Sequence, residues 1–409
     1  MSLKPAPFKV NFSTFNQTVD IPTSKSHANR LLILGAIDKR SVMIKNIPHS
    51  SDVLTMIDVL KRIGLNIIEE GKNIRIINSF PECEKNSIDD LICLESGDGG
   101  TTNRFLMAFL ARGEKTYFLN AKGGMRDRPM EEIENVLNSC DVEIKRGSGE
   151  DPYWYKIKGP YKYKLNKIDV ESFRSTQFAS AFLLALCDHE VNINPVNMEN
   201  SGKYFDLTIS LVNKFKKGLI DYNTPIDFSS LSYPLALALI HGEVVIENYQ
   251  FRDDLQPDSI FLDIIEKMGG KYATNNKLRL QKEGNLNAID IDCSGFPDLV
   301  PTLAFVCSYA KGESVLRNLA VLRHKESDRV YFVCELLDLF EIDYIFDKKN
   351  DDLKILGSKK RCGFKTYDAP SDHRIIMIAY LFMRVNGGGE ITNFHHVQKS
   401  FPNFFEKMK

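Results

Sequence analysis

The chain has 409 residues, of which 43% are apolar and 26% charged, and its formal net charge is −1 at pH 7. This composition is typical of a soluble globular protein with two or three domains. The near-neutral charge argues against nucleic-acid binding, which needs a positive excess. No apolar run is long enough to cross a bilayer, the N-terminus lacks the apolar segment of a signal peptide, and the eight cysteines form no CxxC pair. We therefore expect a cytoplasmic protein without a structural metal site.

In chain order, six similar segments follow one another, each an apolar helical run, a turn and a short alternating strand that closes with Asn. Four of the five intervals between these asparagines are 70 to 75 residues long, and the third is 54. The closing residues are Asn46, Asn120, Asn194, Asn248, Asn318 and Asn393. Four of the turns contain Gly-Glu, at Gly113, Gly242, Gly312 and Gly389, which predicts a glycine with positive φ at each.

Six such units predict an α/β (α+β) fold of two similar domains with three units each. A second helical pattern follows most of the asparagines, as at residues 52–60 and 257–265. The short third interval contains turn-forming residues, so we place a domain crossing near Pro225.

Charged and hydroxyl-bearing motifs lie at the predicted starts of helices, where backbone N–H groups and Lys or Arg together favour phosphate or carboxylate binding. They are Ser24-Lys25-Ser26-His27-Ala28-Asn29-Arg30, Gly97-Asp98-Gly99-Gly100-Thr101, Arg126-Asp127-Arg128-Pro129, Arg174-Ser175-Thr176-Gln177, Arg323-His324-Lys325-Glu326-Ser327-Asp328-Arg329 and Asp372-His373-Arg374. Each motif alone is also typical of a capped helix with a solvated charged face, and Asp298 after Pro297 could be such a cap. None matches the P-loop pattern. Together they favour one anion-binding pocket.

The order of these motifs, with Pro297-Asp298 and Lys399-Ser400-Phe401-Pro402, resembles the enolpyruvyl transferases over essentially the whole chain. Within that superfamily it resembles the 3-phosphoshikimate 1-carboxyvinyltransferase (EPSP synthase) family. The resemblance implies two similar domains, each of three βαβαββ units around parallel helices, in the inside-out barrel architecture. It also implies that the chain crosses twice, so that residues 21–225 form one domain and residues 1–20 plus 226–409 the other, with the active site in the cleft between them.

The resemblance implies a reaction of the shikimate pathway for aromatic amino-acid biosynthesis. The enolpyruvyl group of phosphoenolpyruvate passes to the 5-hydroxyl of shikimate 3-phosphate, giving 5-enolpyruvylshikimate 3-phosphate and phosphate, with no cofactor and no metal. We expect these two small molecules as partners, no nucleic acid, no membrane and a monomer.

Site residues follow by the same resemblance. Asp298 is the expected base for the hydroxyl, Glu326 the proton donor, and Lys25 the lysine between the substrates. The residues expected to hold shikimate 3-phosphate are Lys25, Ser26, Arg30, Ser175, Thr176, Gln177, Ser201, Tyr204, Asp298 and Lys325. The residues expected to hold phosphoenolpyruvate are Lys25, Gly100, Arg128, Gln177, Arg329, Arg374 and Lys399.

Two positions depart from the family pattern. Asp98 stands where Asn is expected, and we expect its carboxylate to pair with Arg104 or Lys25 so that it does not repel an anionic substrate. Val321 stands where Asn often contacts the shikimate phosphate.

Two other interpretations remain open from the sequence. The sister enzyme that uses UDP-N-acetylglucosamine usually has Lys-Asn and a loop Cys, where this chain has Lys25-Ser26 and Gly123-Gly124-Met125. An inactive anion-binding relative is the other alternative, and the presence of Lys25, Asp298, Glu326 and Lys399 together argues against it.

Overall fold

The computed structural model describes residues 6–86, 89–148, 151, 153–162, 166–198, 202–358 and 361–409. Its contacts divide the chain into two units. The N-terminal unit is Thr23–Pro225, and the C-terminal unit is Met1–Pro22 together with Ile226–Lys409. The sequence prediction drew these boundaries after residues 20 and 225.

The described strands, in chain order, are β1 (Phe8–Val10), β2 (Phe15–Val19), β3 (Val42–Lys45), β4 (Ile67–Glu70), β5 (Asn73–Ile76), β6 (Leu91–Gly97), β7 (Thr116–Ala121), β8 (Glu143–Arg146), β9 (Tyr155–Lys158), β10 (Lys167–Glu171), β11 (Asn192–Val196), β12 (Asp221–Asn223), β13 (Gly242–Ile246), β14 (Tyr272–Thr274), β15 (Leu278–Gln281), β16 (Asp290–Asp292), β17 (Glu313–Arg317), β18 (Tyr344–Asp347), β19 (Asp352–Leu356), β20 (Lys365–Tyr367) and β21 (Gly389–Ile391). The described α-helices are α1 (Lys25–Ile37), α2 (Ser51–Arg62), α3 (Gly100–Leu110), α4 (Glu131–Ser139), α5 (Gln177–Ala185), α6 (Gly202–Lys216), α7 (Phe228–His241), α8 (Phe261–Lys267), α9 (Val300–Cys307), α10 (Arg329–Leu339), α11 (His373–Val385) and α12 (Phe404–Lys407).

The described strands form three sheets in each unit. The N-terminal unit has the orders β12-β3-β5-β4, β6-β7-β9-β8 and β10-β11, and the C-terminal unit has β14-β15-β13-β2, β16-β17-β19-β18 and β1-β21-β20. Every described sheet contains one parallel pair, and in four sheets a buried helix joins the two paired strands, for example β6 and β7 through α3. Antiparallel strands extend five of these pairs, so the mixed α/β fold class is confirmed.

Three helices form the core of each unit. Helices α1, α3 and α5 contact one another, as do α7, α9 and α11. Every residue of α9 and α11 is buried, and α9 is accordingly apolar on all sides rather than amphipathic. Among the described residues, no helix is both long and apolar enough to cross a membrane.

The six closing asparagines share one contact. Each side chain bonds to the neighbouring parallel strand or to residues just beyond it, which ties the two strands of the repeat together. The pairs are Asn46–Asn223 (2.8 Å), Asn120–Glu95 (2.9 Å), Asn194–Asp169 (2.6 Å), Asn248–Ile21 carbonyl (2.8 Å), Asn318–Asp292 and Asn393–Ala369 carbonyl (2.6 Å). This hydrogen bond between the paired strands explains why Asn recurs at the end of each repeat.

The expected positive φ at the Gly-Glu turns holds at two positions only. Gly242 has a φ of 150° and Gly312 a φ of 106°. Gly113 and Gly389 do not have positive φ; a Cβ would lie 2.2 Å from Glu84 Oε1 at the first and 2.4 Å from the Lys365 carbonyl oxygen at the second. Glycine is required there by close packing, so the conformational prediction was wrong for these two turns.

Candidate active site

In the C-terminal unit, the starts of three helices meet at the carboxylate of Asp298. Asp298 lies in the 3₁₀ turn Pro297–Leu299 that leads into α9. Its Oδ1 accepts a hydrogen bond from Arg329 Nη1 at 2.8 Å, and its Oδ2 accepts one from Arg374 Nη2 at 3.0 Å. Lys325 Nζ lies 3.5 Å from Oδ1. The N-cap residues of this turn and of α9 are Phe296 and Leu299, so the interpretation of Asp298 as an N-cap is wrong.

Asp372 holds Arg329 from its other edge. The Asp372 side chain is fully buried; its Oδ2 accepts from Arg329 Nε at 2.9 Å, and its Oδ1 accepts from the Arg374 backbone N–H at 3.0 Å as the cap of α11. Burial tends to lower the pKa of Arg329, but Asp372 and Asp298 more than offset this and raise it. Arg329 is thus a fixed cation whose position does not depend on Asp298 alone.

Glu326 forms the second carboxylate centre of this unit. Its Oε2 lies 2.8 Å from His373 Nδ1, and its Oε1 lies 3.4 Å from Lys399 Nζ. Burial alone would raise the pKa of Glu326, but His373 and Lys399 hold it well below its usual range. Burial lowers the pKa of His373, so the ring is neutral at pH 7 and its Nδ1–H donates to Glu326. Glu326 is therefore ionised in this structure and must gain a proton before it can donate one.

Glu326, Asp372 and His373 also bring three possible metal ligands within 4.8 Å of one another. The two carboxylates already pair with Lys399 and Arg329. A divalent cation would have to displace or repel these cations, so the local electrostatics favour an anion.

Asp258 is a further buried acid in the same unit. It lies in the 3₁₀ segment Pro257–Ile260 before α8 and is 1% exposed. Its Oδ2 accepts from the Ser229 hydroxyl at the start of α7, while its Oδ1 has no partner among the described residues. Burial and the charge of Asp298 raise the pKa of Asp258 to about 7.

In the N-terminal unit, Lys25 is the first residue of α1 and pairs with α2. Its Nζ lies 2.9 Å from Oδ2 of Asp52, whose side chain is 4% exposed. Thr102 in the first turn of α3 donates to the Asp52 carbonyl oxygen at 3.2 Å. These contacts bring the starts of three helices together, as in the other unit.

Gly100 begins α3 and lies directly against Arg128. A Cβ at Gly100 would be 2.6 Å from Arg128 Nη1 and 3.7 Å from Gln177 Oε1. The guanidinium of Arg128 has no hydrogen-bond or ion-pair partner in the part of the chain that the structure describes. A cation without a partner beside helix N-terminal N–H groups is suited to a phosphate.

Gln177, the first residue of α5, is held in one orientation by two neighbours. Its Oε1 accepts from Arg104 Nη1 at 2.7 Å, and its Nε2 donates to Thr101 Oγ1 at 3.0 Å. Arg104 is buried with its guanidinium 4.7 Å from the ring centre of Phe178. Burial and the nearby Arg128 lower the pKa of Arg104 to about 9, which leaves it charged at pH 7.

Arg30 joins α1 to α6 rather than reaching outward. Its guanidinium donates to Thr208 Oγ1 at 2.8 Å and to the carbonyl oxygens of Ser26 and Tyr204 at 2.8 and 3.1 Å. Burial lowers its pKa to about 10. Arg30 thus contacts the backbone of Ser26 and Tyr204, two residues expected in the same site, and their binding of shikimate 3-phosphate stays a prediction.

Ser175 and Thr176 lie just before α5, and Ser175 Oγ accepts from the Gln177 N–H at 3.2 Å. Ser201 lies outside the described residues.

Of the two partners expected for Asp98, Lys25 pairs with Asp52 and Arg104 donates to Gln177. A pairing of Asp98 with either cation stays a prediction. Asp98 is half-buried beside the loop, and Val321 is buried at 6% exposure in the 3₁₀ segment Ala320–His324.

The sequence assigned no role to four residues that shape these clusters, Asp52, Asp258, Asp372 and His373, and it named Arg104 only as a partner of Asp98. A signal was available for two of them, because Asp52 and Asp258 begin the second helical pattern in the first and fourth repeats. Asp372 and His373 belonged to a motif from which only Arg374 was assigned.

A family model described as EPSP synthase (3-phosphoshikimate 1-carboxyvinyltransferase) matches residues 11–226 and 196–408. The chain belongs to the EPSP synthase family. It is 28% identical to the 3-phosphoshikimate 1-carboxyvinyltransferase of Aliivibrio salmonicida, with 97% of each chain covered, and 30% identical to that of Methanococcoides burtonii, with 95% and 94% covered. Membership makes the chain a transferase of the enolpyruvyl step of the shikimate pathway, in aromatic amino-acid biosynthesis.

Solved structures agree on the fold. The EPSP synthase of Acinetobacter baumannii superposes with a TM-score of 0.75 at 21% identity, covering 98% of this chain and 97% of that one. The enolpyruvyl transferase NikO of Streptomyces tendae gives a TM-score of 0.73 at 12% identity, covering 99% and 97%.

Proposed function

We propose that the chain transfers the enolpyruvyl group of phosphoenolpyruvate to the 5-hydroxyl of shikimate 3-phosphate, with the two clusters as the parts of one active site. The observation that carries this proposal is the carboxylate of Asp298 held between Arg329 and Arg374 at helix starts. A base beside two fixed guanidinium groups suits a reaction in which a hydroxyl attacks an anionic substrate.

Phosphoenolpyruvate presents a carboxylate and a phosphate. We assign its carboxylate to Arg329 and Arg374, because both already hold a carboxylate here. We assign its phosphate to Arg128 and the N–H groups at Gly100, with Lys25, Gln177 and Lys399 as further donors.

The residues that we assign to the binding of shikimate 3-phosphate are Lys25, Ser26, Arg30, Ser175, Thr176, Gln177, Ser201, Tyr204, Asp298 and Lys325. Asp298 removes the proton of the 5-hydroxyl as that oxygen attacks the substituted carbon of phosphoenolpyruvate. Glu326 delivers a proton to the methylene carbon, which yields a tetrahedral intermediate with a methyl group. Phosphate then leaves and takes up the proton held by Asp298, while a methyl proton returns to Glu326, and this elimination restores the double bond. Because Glu326 is ionised without substrate, the acid role requires that binding weakens its contact with Lys399.

The proposed layout has residues 21–225 as one domain, residues 1–20 plus 226–409 as the other, and the site in the cleft between them. We further propose a cytoplasmic monomer that binds neither nucleic acid nor membrane. The net charge of −1 and eight free cysteine thiols support this.

The test is release of inorganic phosphate from phosphoenolpyruvate, with shikimate 3-phosphate as acceptor and UDP-N-acetylglucosamine as the alternative acceptor. Release with shikimate 3-phosphate only is expected. Release with the nucleotide sugar only would identify the sister activity, and release with neither would favour an inactive relative. The variant Arg128→Gln should raise the KM for phosphoenolpyruvate, whereas Arg126→Gln, two residues away, should not.

A further inference from the structure

The carboxylate of Asp298 is bound in the way that a substrate carboxylate would be. Each of its two oxygens accepts from a different guanidinium, Arg329 at 2.8 Å and Arg374 at 3.0 Å. Two arginines that share one carboxylate in this manner form a specific carboxylate-binding site. In this structure the occupant is a side chain of the chain itself.

The two arginines also have supports that do not depend on the Asp298 side chain. Arg329 is 3% exposed and donates from Nε to the buried Asp372 at 2.9 Å. Arg374 lies in the first turn of α11, with its backbone N–H bonded to Asp372 at 3.0 Å, and its Nη1 donates to the backbone carbonyl oxygen of Asp298 at 3.2 Å. The site for a carboxylate therefore persists if the Asp298 side chain moves away.

We propose that Asp298 is a placeholder: without substrate it occupies the position that the carboxylate of phosphoenolpyruvate takes between Arg329 and Arg374, and phosphoenolpyruvate binds by displacing it. This inference rests on the proposed function, since it names phosphoenolpyruvate as the displacing anion. It adds a second role to Asp298, as a competitor for the substrate site.

Displacement changes what Asp298 can do. While it bridges two guanidinium groups and lies 3.5 Å from Lys325, its lone pairs are engaged by cations. After displacement it has lost two of these contacts and gained an anionic neighbour, and both changes strengthen its hold on a proton. The base is then released only when the second substrate is present, which limits proton removal from the acceptor hydroxyl to the productive complex.

The test measures binding by titration calorimetry on the full chain without shikimate 3-phosphate. The probes are phosphoenolpyruvate, pyruvate, which keeps the carboxylate and lacks the phosphate, and inorganic phosphate, which lacks the carboxylate. The variants are Asp298→Asn and Asp298→Ser. The matched control is Asp290→Asn, because Asp290 bonds through both oxygens to Arg317 in the same unit, on β16.

In Asp298→Asn and Asp298→Ser, the Kd for phosphoenolpyruvate and for pyruvate should fall by about tenfold or more, since a charged competitor is lost. The Kd for inorganic phosphate should change by less than about twofold, and the control Asp290→Asn should leave all three Kd values unchanged. Unchanged or weaker binding of both carboxylate probes in both variants would overturn the proposal.

A second measurement needs no variant. In a crystal of the wild-type chain with phosphoenolpyruvate, the contact between Asp298 and Arg329 Nη1, 2.8 Å here, should be broken. An intact contact with the ligand bound would also overturn the placeholder. Turnover separates this inference from the proposed function. If the Asp298 variants bind carboxylates more tightly but the wild type forms no product, the placeholder stands and the enolpyruvyl transfer is refuted. If the wild type forms product but the variants bind carboxylates no more tightly, the transfer stands and the placeholder is refuted.

Discussion

The substitution Gly100→Ala should weaken the binding of phosphoenolpyruvate by displacing the side chain of Arg128. The added Cβ would lie 2.6 Å from Arg128 Nη1, whereas ordinary contacts begin at 3.4 Å, so the guanidinium must retreat by the difference, about 0.8 Å. The atom that yields is the end of a flexible side chain, so the fold should tolerate the change. A misplacement near 1 Å of a substrate-holding group costs up to about 100-fold.

We expect Gly100→Ala to raise the KM for phosphoenolpyruvate by about ten- to 100-fold and to change the KM for shikimate 3-phosphate by less than about threefold. Steady-state phosphate release with each substrate varied in turn measures both constants. Gly124→Ala is the matched control, because a Cβ at Gly124 meets nothing within 4 Å. If Gly100→Ala and Gly124→Ala give the same KM for phosphoenolpyruvate within twofold, Arg128 does not hold that substrate.

Three further outcomes follow from the carboxylates. Asp298→Asn and Glu326→Gln should each lower kcat by about 100-fold or more, with smaller effects on substrate binding, and near-normal turnover in both would show that the assigned roles are wrong. Folded Asp258, with a pKa of about 7 against a usual 3.8, binds a proton more tightly than the unfolded chain, so its stabilising contribution is present at low pH and is lost as pH rises through 7. The melting temperature of Asp258→Asn minus that of the wild type should therefore increase from pH 5 to pH 8. A difference that stays constant over this range would contradict the raised pKa of Asp258. Asp98→Asn should change the KM for phosphoenolpyruvate by only a few-fold, whereas a large fall with unchanged turnover would show that Asp98 faces the substrate.

The repeat organisation could be predicted from sequence because its signals are local. An apolar helical run, a turn and a strand that ends in Asn occupy consecutive residues, and α2 and β7 appear at the residues that these patterns indicated. The third strand, expected to close at Asn194, instead spans Asn192–Val196, because Lys167 pairs with Asn192 and the parallel pairing continues to Val196. Register is a property of the partner strand, which a local pattern does not contain.

The site was predictable as a set of helix starts but not as a set of contacts. Lys25, Gly100, Gln177, Arg329 and Arg374 all lie in the first turn of a helix, as their motifs indicated. Their partners are 27 to 76 residues distant, and nothing local specifies them. The Lys25–Asp52 pair illustrates this: Asp52 lies in the first turn of α2, and only the packing of α2 on α1 brings it to Lys25.

Without substrate, the buried cations of the two clusters are neutralised by carboxylates of the chain itself. Guanidinium and ammonium groups buried without partners would cost several kcal/mol each, and here Asp52, Asp298 and Glu326 neutralise Lys25, the arginine pair and Lys399. A substrate carboxylate that enters by replacing such a carboxylate leaves the number of ion pairs at the arginine pair nearly unchanged. Since salt weakens binding in proportion to the ion pairs gained, wild-type affinity for phosphoenolpyruvate should fall with ionic strength through the phosphate pairing with Arg128, with little added by the substrate carboxylate. In Asp298→Asn the same anion gains pairs that no carboxylate held before, so its affinity should fall more steeply with salt. Calorimetric titrations of both proteins from low to high salt compare the two slopes, and equal slopes would mean that phosphoenolpyruvate adds to these ion pairs rather than exchanging with them.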